Sequence, residues 1–310
     1  MDKIFIYLLK TARPRQWIKN LTLYAALIFS GRLFSSKDFF LVTLATIIFS
    51  GMTSSLYFLN DIADISKDRI HPFKRLRPIA SGKLPVPIAF FFALSGTLLS
   101  LFLASKLSFF FFLVCFAYFL LQLAYTFFLK NVIIVDLLAI ASGFTLRIYA
   151  GAIILNYHIS SWFLLCVVSS ALFLAIGKRR AELSLLSAQA APAHRRTLSL
   201  YSEKLLDGYL SMFASSAWIS WALFTFFESP PIILSPTLVY SILPLTISGT
   251  SKFLMLSIPL VIYGIMRYLR IVYEGSKAES PERVLLSDKP LLGVVVIWAI
   301  MVIFIIYGAS

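Results

Sequence analysis

Asn60, Asp64 and Asp68 recur every four residues in the stretch NDIADISKDRIHPFKRLRPIASG (60–82). On a continuing helix they stack along one face, and Asp61, three residues before Asp64, falls on nearly the same face. Carboxylates this close repel one another unless a cation sits between them. Two to four oxygens on one face suit Mg2+, which binds through one or two carboxylates and leaves its other positions to water and phosphate. Mn2+ accepts the same oxygen set. The plainer alternative is a salt-bridged loop, with Asp64 against Lys67 or Arg69. The regular spacing, directly after an uncharged run, favours the metal. His71, Lys74, Arg75 and Arg77 follow the acids within ten residues. Anchoring at a membrane surface explains two such cations. Four of them beside a metal site point to a phosphorylated substrate, because Arg forks and Lys point charges both bind phosphate oxygens. Pro72 and Pro78 fix the turns between them.

Two other stretches carry charge in the same manner. In AYTFFLKN (124–131), Tyr125 and Lys130 sit where one apolar run ends and the next begins. Taken alone, Tyr125 reads most often as an interfacial aromatic anchor. Asp136 follows just inside the next run, and Arg147, eleven residues further, shares its face. Ionisable groups inside an apolar run usually face the bundle interior. For Arg147, a structural pairing with a helix-end carbonyl and a substrate role stay equally open; Asp136 is the better functional candidate because it is near the mouth. In GKRRAEL (177–183), Lys178, Arg179 and Arg180 are consecutive, so on a helix they cannot all face one way. Taken alone the run reads as a topology signal; as a third charged stretch, one or two of the cations can enter a site while the rest meet lipid phosphates. HRRTLSLY (194–201) follows.

The elements that hold these residues are apolar. Of 310 residues 59% are hydrophobic and only 14% charged, against about 25% charged in soluble domains. The uncharged runs Phe39–Leu59, Leu84–Ser105, Leu107–Leu129, Gly208–Phe227 and Pro290–Gly308 are each long enough to cross a hydrocarbon core of about 30 Å as a helix. Trp17–Phe34, Val132–Leu155, Ser160–Gly177 and about Ser248–Arg270 complete a set of nine. Pro230, Pro231, Pro236 and Pro244 mark Ser229–Ser251 as an outer loop or partly inserted segment. The fold class is an all-α polytopic membrane bundle, one domain over 1–310, with 1–16 as an interfacial entry; a soluble enzyme is excluded. Of the 28 Lys and Arg, 23 fall on one set of loops when the N-terminus is placed in the cytoplasm, which fixes the expected orientation. The net charge of +14 is therefore a topology signal that also suits anionic lipid headgroups, and it does not indicate nucleic acid. Cys115 and Cys166 lie in apolar runs and read as inert thiols.

With these residues in view, the chain resembles the UbiA superfamily of intramembrane prenyltransferases, and most sharply its polyprenyl-phosphate phosphoribosyltransferase branch. RPRQWIKN, the long acidic–basic stretch, LKNVIIVD, SGFTLR, GKRRAEL and RRTLSLY look like that branch's motifs in order. The resemblance implies a nine-helix fold with Mg2+ held by Asn60, Asp61, Asp64 and Asp68. It departs from ordinary members where a second acidic motif would stand, since KRRAEL has Glu182 as its one acid. That departure suits two separate phosphate-bearing substrates: 5-phosphoribosyl 1-diphosphate as donor and a decaprenyl-type polyprenyl phosphate as acceptor. Asp64, Asp68 and Asp136 would be catalytic. Lys74 and Arg77 would attend the leaving diphosphate and Lys19, Lys130, Lys178 and Arg179 the substrate phosphates, with His71, Tyr125 and Arg147 as further substrate-binding candidates. The expected setting is a multi-pass protein of the plasma (inner) membrane, with homo-oligomerisation left open. A prenyl diphosphate-dependent transferase acting on an aromatic acceptor is one alternative, and a phospholipid-type transporter is another.

Overall fold

The computed structural model describes residues 2–70, 74–187, 200–228, 250–274 and 281–308, and among them there is no strand. Helix α1 (Asp2–Ala12) leads into a 3-10 helix (Pro14–Tyr24) and the short α2 (Ala25–Phe29). Then come α3 (Ser36–Ala63), α4 (Ile65–Ile70), α5 (Val86–Leu107), α6 (Phe109–Phe127), α7 (Val135–Leu155), α8 (Ser161–Ser187) and α9 (Glu203–Phe227). A 3-10 segment (Thr250–Ser257), α10 (Ile258–Tyr273), α11 (Pro281–Ser287) and α12 (Lys289–Tyr307) complete the chain. Eight helices among the described residues are long and apolar enough to cross a membrane, and the protein is a multi-pass membrane protein.

The expected first crossing, Trp17–Phe34, is not one α-helix. Arg13 takes a left-handed backbone (φ 53°), and Pro14 then opens eleven residues of 3-10 helix, far beyond the usual three or four. A side-chain ladder on α3 holds it. The indole of Trp17 donates to Ser54 Oγ at 2.9 Å, the amide of Asn20 donates to Ser50 Oγ at 2.9 Å and Thr53 Oγ1 at 3.2 Å, and Tyr24 and Thr43 share a hydroxyl contact at 2.7 Å. With three residues per turn, Trp17, Asn20 and Leu23 eclipse one another on a single face. Leu23 is fully buried, and its carbonyl passes so near Gly151 of α7 that a Cβ there would lie 1.9 Å from the oxygen. The glycine is what lets the two backbones meet.

The described residues fall into two compact units, one formed chiefly by Met1–Tyr24 and Phe40–Asn156, the other by Ala25–Phe39, Tyr157–Gln189 and Tyr201–Ser310. In the first, Phe49, Met52, Phe111, Cys115 and Tyr118 form the main core, while Phe58, Ile79, Leu84 and Ala89 bury Tyr7 and Leu8 of α1. In the second, Phe29, Trp221, Phe224, Leu254 and Ile306 pack together. There the ring of Phe29 is 4.9 Å from that of Phe163, and the Trp221 indole donates to Ser257 Oγ at 3.0 Å.

Helices run past the apolar limits read from sequence. α3 continues four residues beyond Leu59 and carries Asn60 and Asp61; α8 continues ten beyond Gly177, so Lys178, Arg179 and Arg180 are helical. The proline-rich 229–249, the 188–199 stretch and His71 lie outside the described residues.

Candidate active site

In the first unit, backbone bonds from Asp64 N to Asn60 O (3.0 Å) and from Asp68 N to Asp64 O (2.8 Å) carry the helical ladder across the α3–α4 junction. Asn60, Asp64 and Asp68 therefore stack as their spacing demands. The cations between the carboxylates are the chain's own. Arg77 places Nη1 3.1 Å from Asp61 Oδ1 and 2.6 Å from Asp68 Oδ2, so one guanidinium nitrogen joins two acids. Arg13 pairs with the same Asp61 oxygen and lies over the Tyr57 ring at 4.9 Å. Lys130 sets its ammonium 2.6 Å from Asp64 Oδ1, and the Thr126 hydroxyl approaches Asn60 Oδ1 at 3.5 Å. Asp61 and Asp68 are almost fully buried, where an uncompensated carboxylate would cost several kcal/mol.

This arrangement fits a divalent ion held sparingly. Lys130 takes one oxygen of Asp64 and Arg77 one oxygen of Asp68; the other oxygen of each has no hydrogen-bond partner among the described residues. Asn60 adds a neutral oxygen on the same face. Two carboxylates with hard oxygen character suit Mg2+, which keeps water and phosphate in its remaining positions. No cluster of three or more His, Cys, Asp or Glu among the described residues is placed to cage an ion by itself. Asp61, grouped with the ligands by sequence, gives its Oδ1 to two guanidinium groups.

Lys130 is delivered by a one-turn 3-10 helix, Leu129–Asn131, and is only 4% exposed. Immediately after it the backbone is strained. Ile134 has φ 69° and ψ −46°, and Val135 N bonds Ile133 O at 2.8 Å, closing a γ-turn around a β-branched residue. Such a residue at positive φ is an outlier costing on the order of 1–3 kcal/mol. α7 then begins, with Asp136 in its first turn and no exposed surface. Tyr125 is half-buried on α6 and makes no hydrogen bond among the described residues. Lys19 is half-buried within the long 3-10 segment, and Lys74 is half-buried in the turn Lys74–Leu76.

Arg147 lies about 16 Å along α7 from Asp136 at the helical rise. Its Nη1 donates to the Gly143 carbonyl at 2.8 Å, its Nε to Asn20 Oδ1 at 2.9 Å and its Nη2 to the Tyr118 hydroxyl at 2.7 Å. The carbonyl it meets is that of Gly143, in the middle of α7 and not at a helix end as the sequence option had it, and two long-range bonds join it.

In the second unit the three consecutive cations of α8 separate, as helix geometry requires. Arg179 is 3% exposed and 2.7 Å from Glu182, whereas Lys178 is 42% exposed and 3.9 Å from the same acid. Arg180 turns to α9, meeting Asp207 at 2.8 Å and Glu203 at 3.0 Å, and also bonds Ser184. Arg180 is a strut between two helices. Gly177 sits under Tyr268, whose ring a Cβ would meet at 2.8 Å.

Sequence reasoning missed Arg13, Thr126, Asn20 and Tyr118 as site partners. Arg13 stands before Pro14 and Asn20 directly after Lys19, which is the signal that was there to use. Nothing local marks Thr126 or Tyr118.

Residues 20–288 match the profile of the UbiA prenyltransferase family. The decaprenyl-phosphate phosphoribosyltransferase of Corynebacterium glutamicum is 32% identical over 305 residues, covering 97% of this chain and 86% of its own. The decaprenyl-phosphate phosphoribosyltransferase of Mycolicibacterium smegmatis is 33% identical over 299 residues, covering 94% and 89%. A UbiA homologue from Archaeoglobus fulgidus, solved bound to GPP and Mg2+, shares the fold with a TM-score of 0.67 at 18% identity, covering 97% of this chain and 99% of its own.

Proposed function

The chain belongs to the UbiA prenyltransferase family, and from that premise we propose that it transfers a 5-phosphoribosyl group from 5-phosphoribosyl 1-diphosphate to a polyprenyl phosphate of decaprenyl type, releasing diphosphate. The observation that carries this reading is the contrast of charge between two stretches. Stacked carboxylates occupy α3–α4, whereas the basic run of α8 has Glu182 as its acid, already shared by Lys178 and Arg179. A prenyl diphosphate held between two acidic motifs finds no second motif here. Relatives bearing the phosphoribosyltransferase name over nearly their whole length support the same choice.

In the reaction, the bond from ribose C1 to the diphosphate oxygen breaks as a bond forms to the acceptor's phosphate oxygen. That oxygen is already ionised, so no strong base is needed. Asn60, Asp64 and Asp68, with Asp61 behind them, would hold Mg2+, whose bound charge stabilises the leaving diphosphate. Arg77 has five N–H donors, so it can keep its two carboxylates and still meet a substrate oxygen; Lys130 acts beside it from Asp64, and Lys74 and His71 stand in the same stretch as Arg77. Asp136, fully buried in the first turn of α7, acts through its charge and not by touching substrate. Lys19, Lys178 and Arg179 bind the ribose 5-phosphate and the lipid phosphate, with Tyr125 at the membrane interface. Rate enhancement comes from positioning and electrostatics. The enzyme lies in the plasma (inner) membrane with its N-terminus and charged loops in the cytoplasm, and serves cell-envelope lipid-linked sugar synthesis.

The test is mass spectrometry of lipid products after purified protein is incubated with the sugar donor, Mg2+ and several polyprenyl phosphates. A phosphoribosylated lipid is expected. Prenylation of hydroxybenzoate from prenyl diphosphate, with no sugar-bearing lipid, overturns the reading.

A further inference from the structure

Arg147 is a cation in the middle of a membrane helix, and its hydrogen bonds among the described residues all go to neutral acceptors. It is 6% exposed. Each of its three nitrogens donates to a neutral acceptor: Asn20 Oδ1, the Gly143 carbonyl and the Tyr118 hydroxyl. Its guanidinium lies 4.9, 5.3 and 5.7 Å from the rings of Tyr118, Phe144 and Phe49. Holding a charge there is costly, and neutral acceptors offset that cost only while all of them stay in place. The group best fixed by this arrangement is Asn20, because its amide oxygen takes the guanidinium while its amide nitrogen donates to Ser50 and Thr53.

Asn20 belongs to the Pro14–Tyr24 segment, which is also held by the ion pair of Arg13 with Asp61 just before its start and by the Trp17–Ser54 and Tyr24–Thr43 bonds. Lys19 lies among these fastenings. A 3-10 helix of this length has poor internal bonds, so its backbone path depends on what grips it. We propose that Arg147 is a positioning residue: through Asn20 it fixes the 3-10 path that sets Lys19, and it touches neither substrate. This rests on the phosphoribosyl-transfer reading only for its kinetic consequence.

The test is a double-mutant cycle on the full-length protein in detergent, using Arg147→Gln, Asn20→Ala and the pair. Each single variant is expected to raise the KM of one phosphorylated substrate about tenfold, with kcat within about twofold, as losing one charge-assisted bond implies. The pair should be no worse than the poorer single. Arg147→Lys, which keeps the charge but lacks the fork, should behave like Arg147→Gln and serves where the glutamine variant does not fold. A second readout does not depend on the reaction: Lys19→Cys, in a background with Cys115 and Cys166 replaced by Ala, labelled with a water-soluble thiol reagent. Labelling should speed up severalfold when Arg147 or Asn20 is substituted. Multiplying KM effects in the pair, or a labelling rate unchanged by either substitution, overturns the proposal. If the parent protein makes no phosphoribosyl lipid at all, the function reading fails, and the labelling rates alone decide the role of Arg147.

Discussion

The ammonium of Lys130 stands 2.6 Å from Oδ1 of Asp64, a residue sixty-six positions earlier in the chain. Their side chains are 6% and 13% exposed, so removing either leaves the other's charge poorly solvated. Lys130→Ala should lower stability by on the order of 3 kcal/mol, seen as a drop in melting temperature in detergent. Asp64→Asn and Asp68→Asn keep shape and lose charge. Turnover per folded molecule should fall by several orders of magnitude in both, and Asp64→Asn should also melt lower, because it leaves the Lys130 ammonium without its carboxylate. Normal turnover of either at saturating Mg2+ would remove the metal role from α3–α4.

Arg77 joins Asp61 and Asp68 through one nitrogen. Taking it away leaves two buried carboxylates facing one another with Arg13 as the remaining guanidinium on Asp61. Arg77→Ala is expected to cost about 2 kcal/mol, less than for a fully buried pair because Arg77 itself is a quarter exposed. Mg2+ should restore more stability to this variant than to wild type. Melting curves with and without the ion give the answer, and equal Mg2+ shifts in both proteins would contradict it.

The basic run of α8 should divide by function along the line its contacts draw. Lys178→Ala or Arg179→Ala should reduce kcat/KM roughly 10- to 150-fold through the KM of one phosphorylated substrate, without moving the Mg2+ dependence. Arg180→Ala should instead lower the melting temperature, since its partners are Asp207 and Glu203 of α9. Substrate-by-substrate kinetics of the three variants distinguish the outcomes; wild-type kinetics for the first two would reduce the cluster to a topology anchor.

Orientation is open to direct chemistry. Ser66 of α4 and Ser105 of α5 are both exposed and lie at opposite ends of one crossing. In a background lacking Cys115 and Cys166, Ser66→Cys should label from the cytoplasmic side and Ser105→Cys from outside. The reverse pattern would invert the reading of the cation distribution.

The charged helix ends were legible because charge is rare in this chain, so each cluster stands out against an apolar background. Their pairings were not. Lys130 meets Asp64 and Arg147 meets Asn20 across 66 and 127 residues, and spacing within a segment says nothing about partners that far off. The long 3-10 segment was hidden for another reason. Hydropathy counts apolar residues without regard to backbone rise, so Trp17–Phe34 scores like a helix. The ladder that holds it uses Thr43, Ser50, Thr53 and Ser54, small hydroxyls that pass as filler in a membrane helix. The division among Lys178, Arg179 and Arg180 was half legible: consecutive residues must diverge, but which one finds acids depends on α9.

Gly151 carries no side chain and sits fifteen residues beyond Asp136, about 22 Å along α7. Every replacement there puts an atom 1.9 Å from the Leu23 carbonyl oxygen, so one of the two backbones must shift. In a saturation scan scored by product formation, position 151 should be as intolerant as Asp64. A map of such scores would then colour a glycine deep in the bilayer as though it were chemistry, when what it records is how closely two main chains pass.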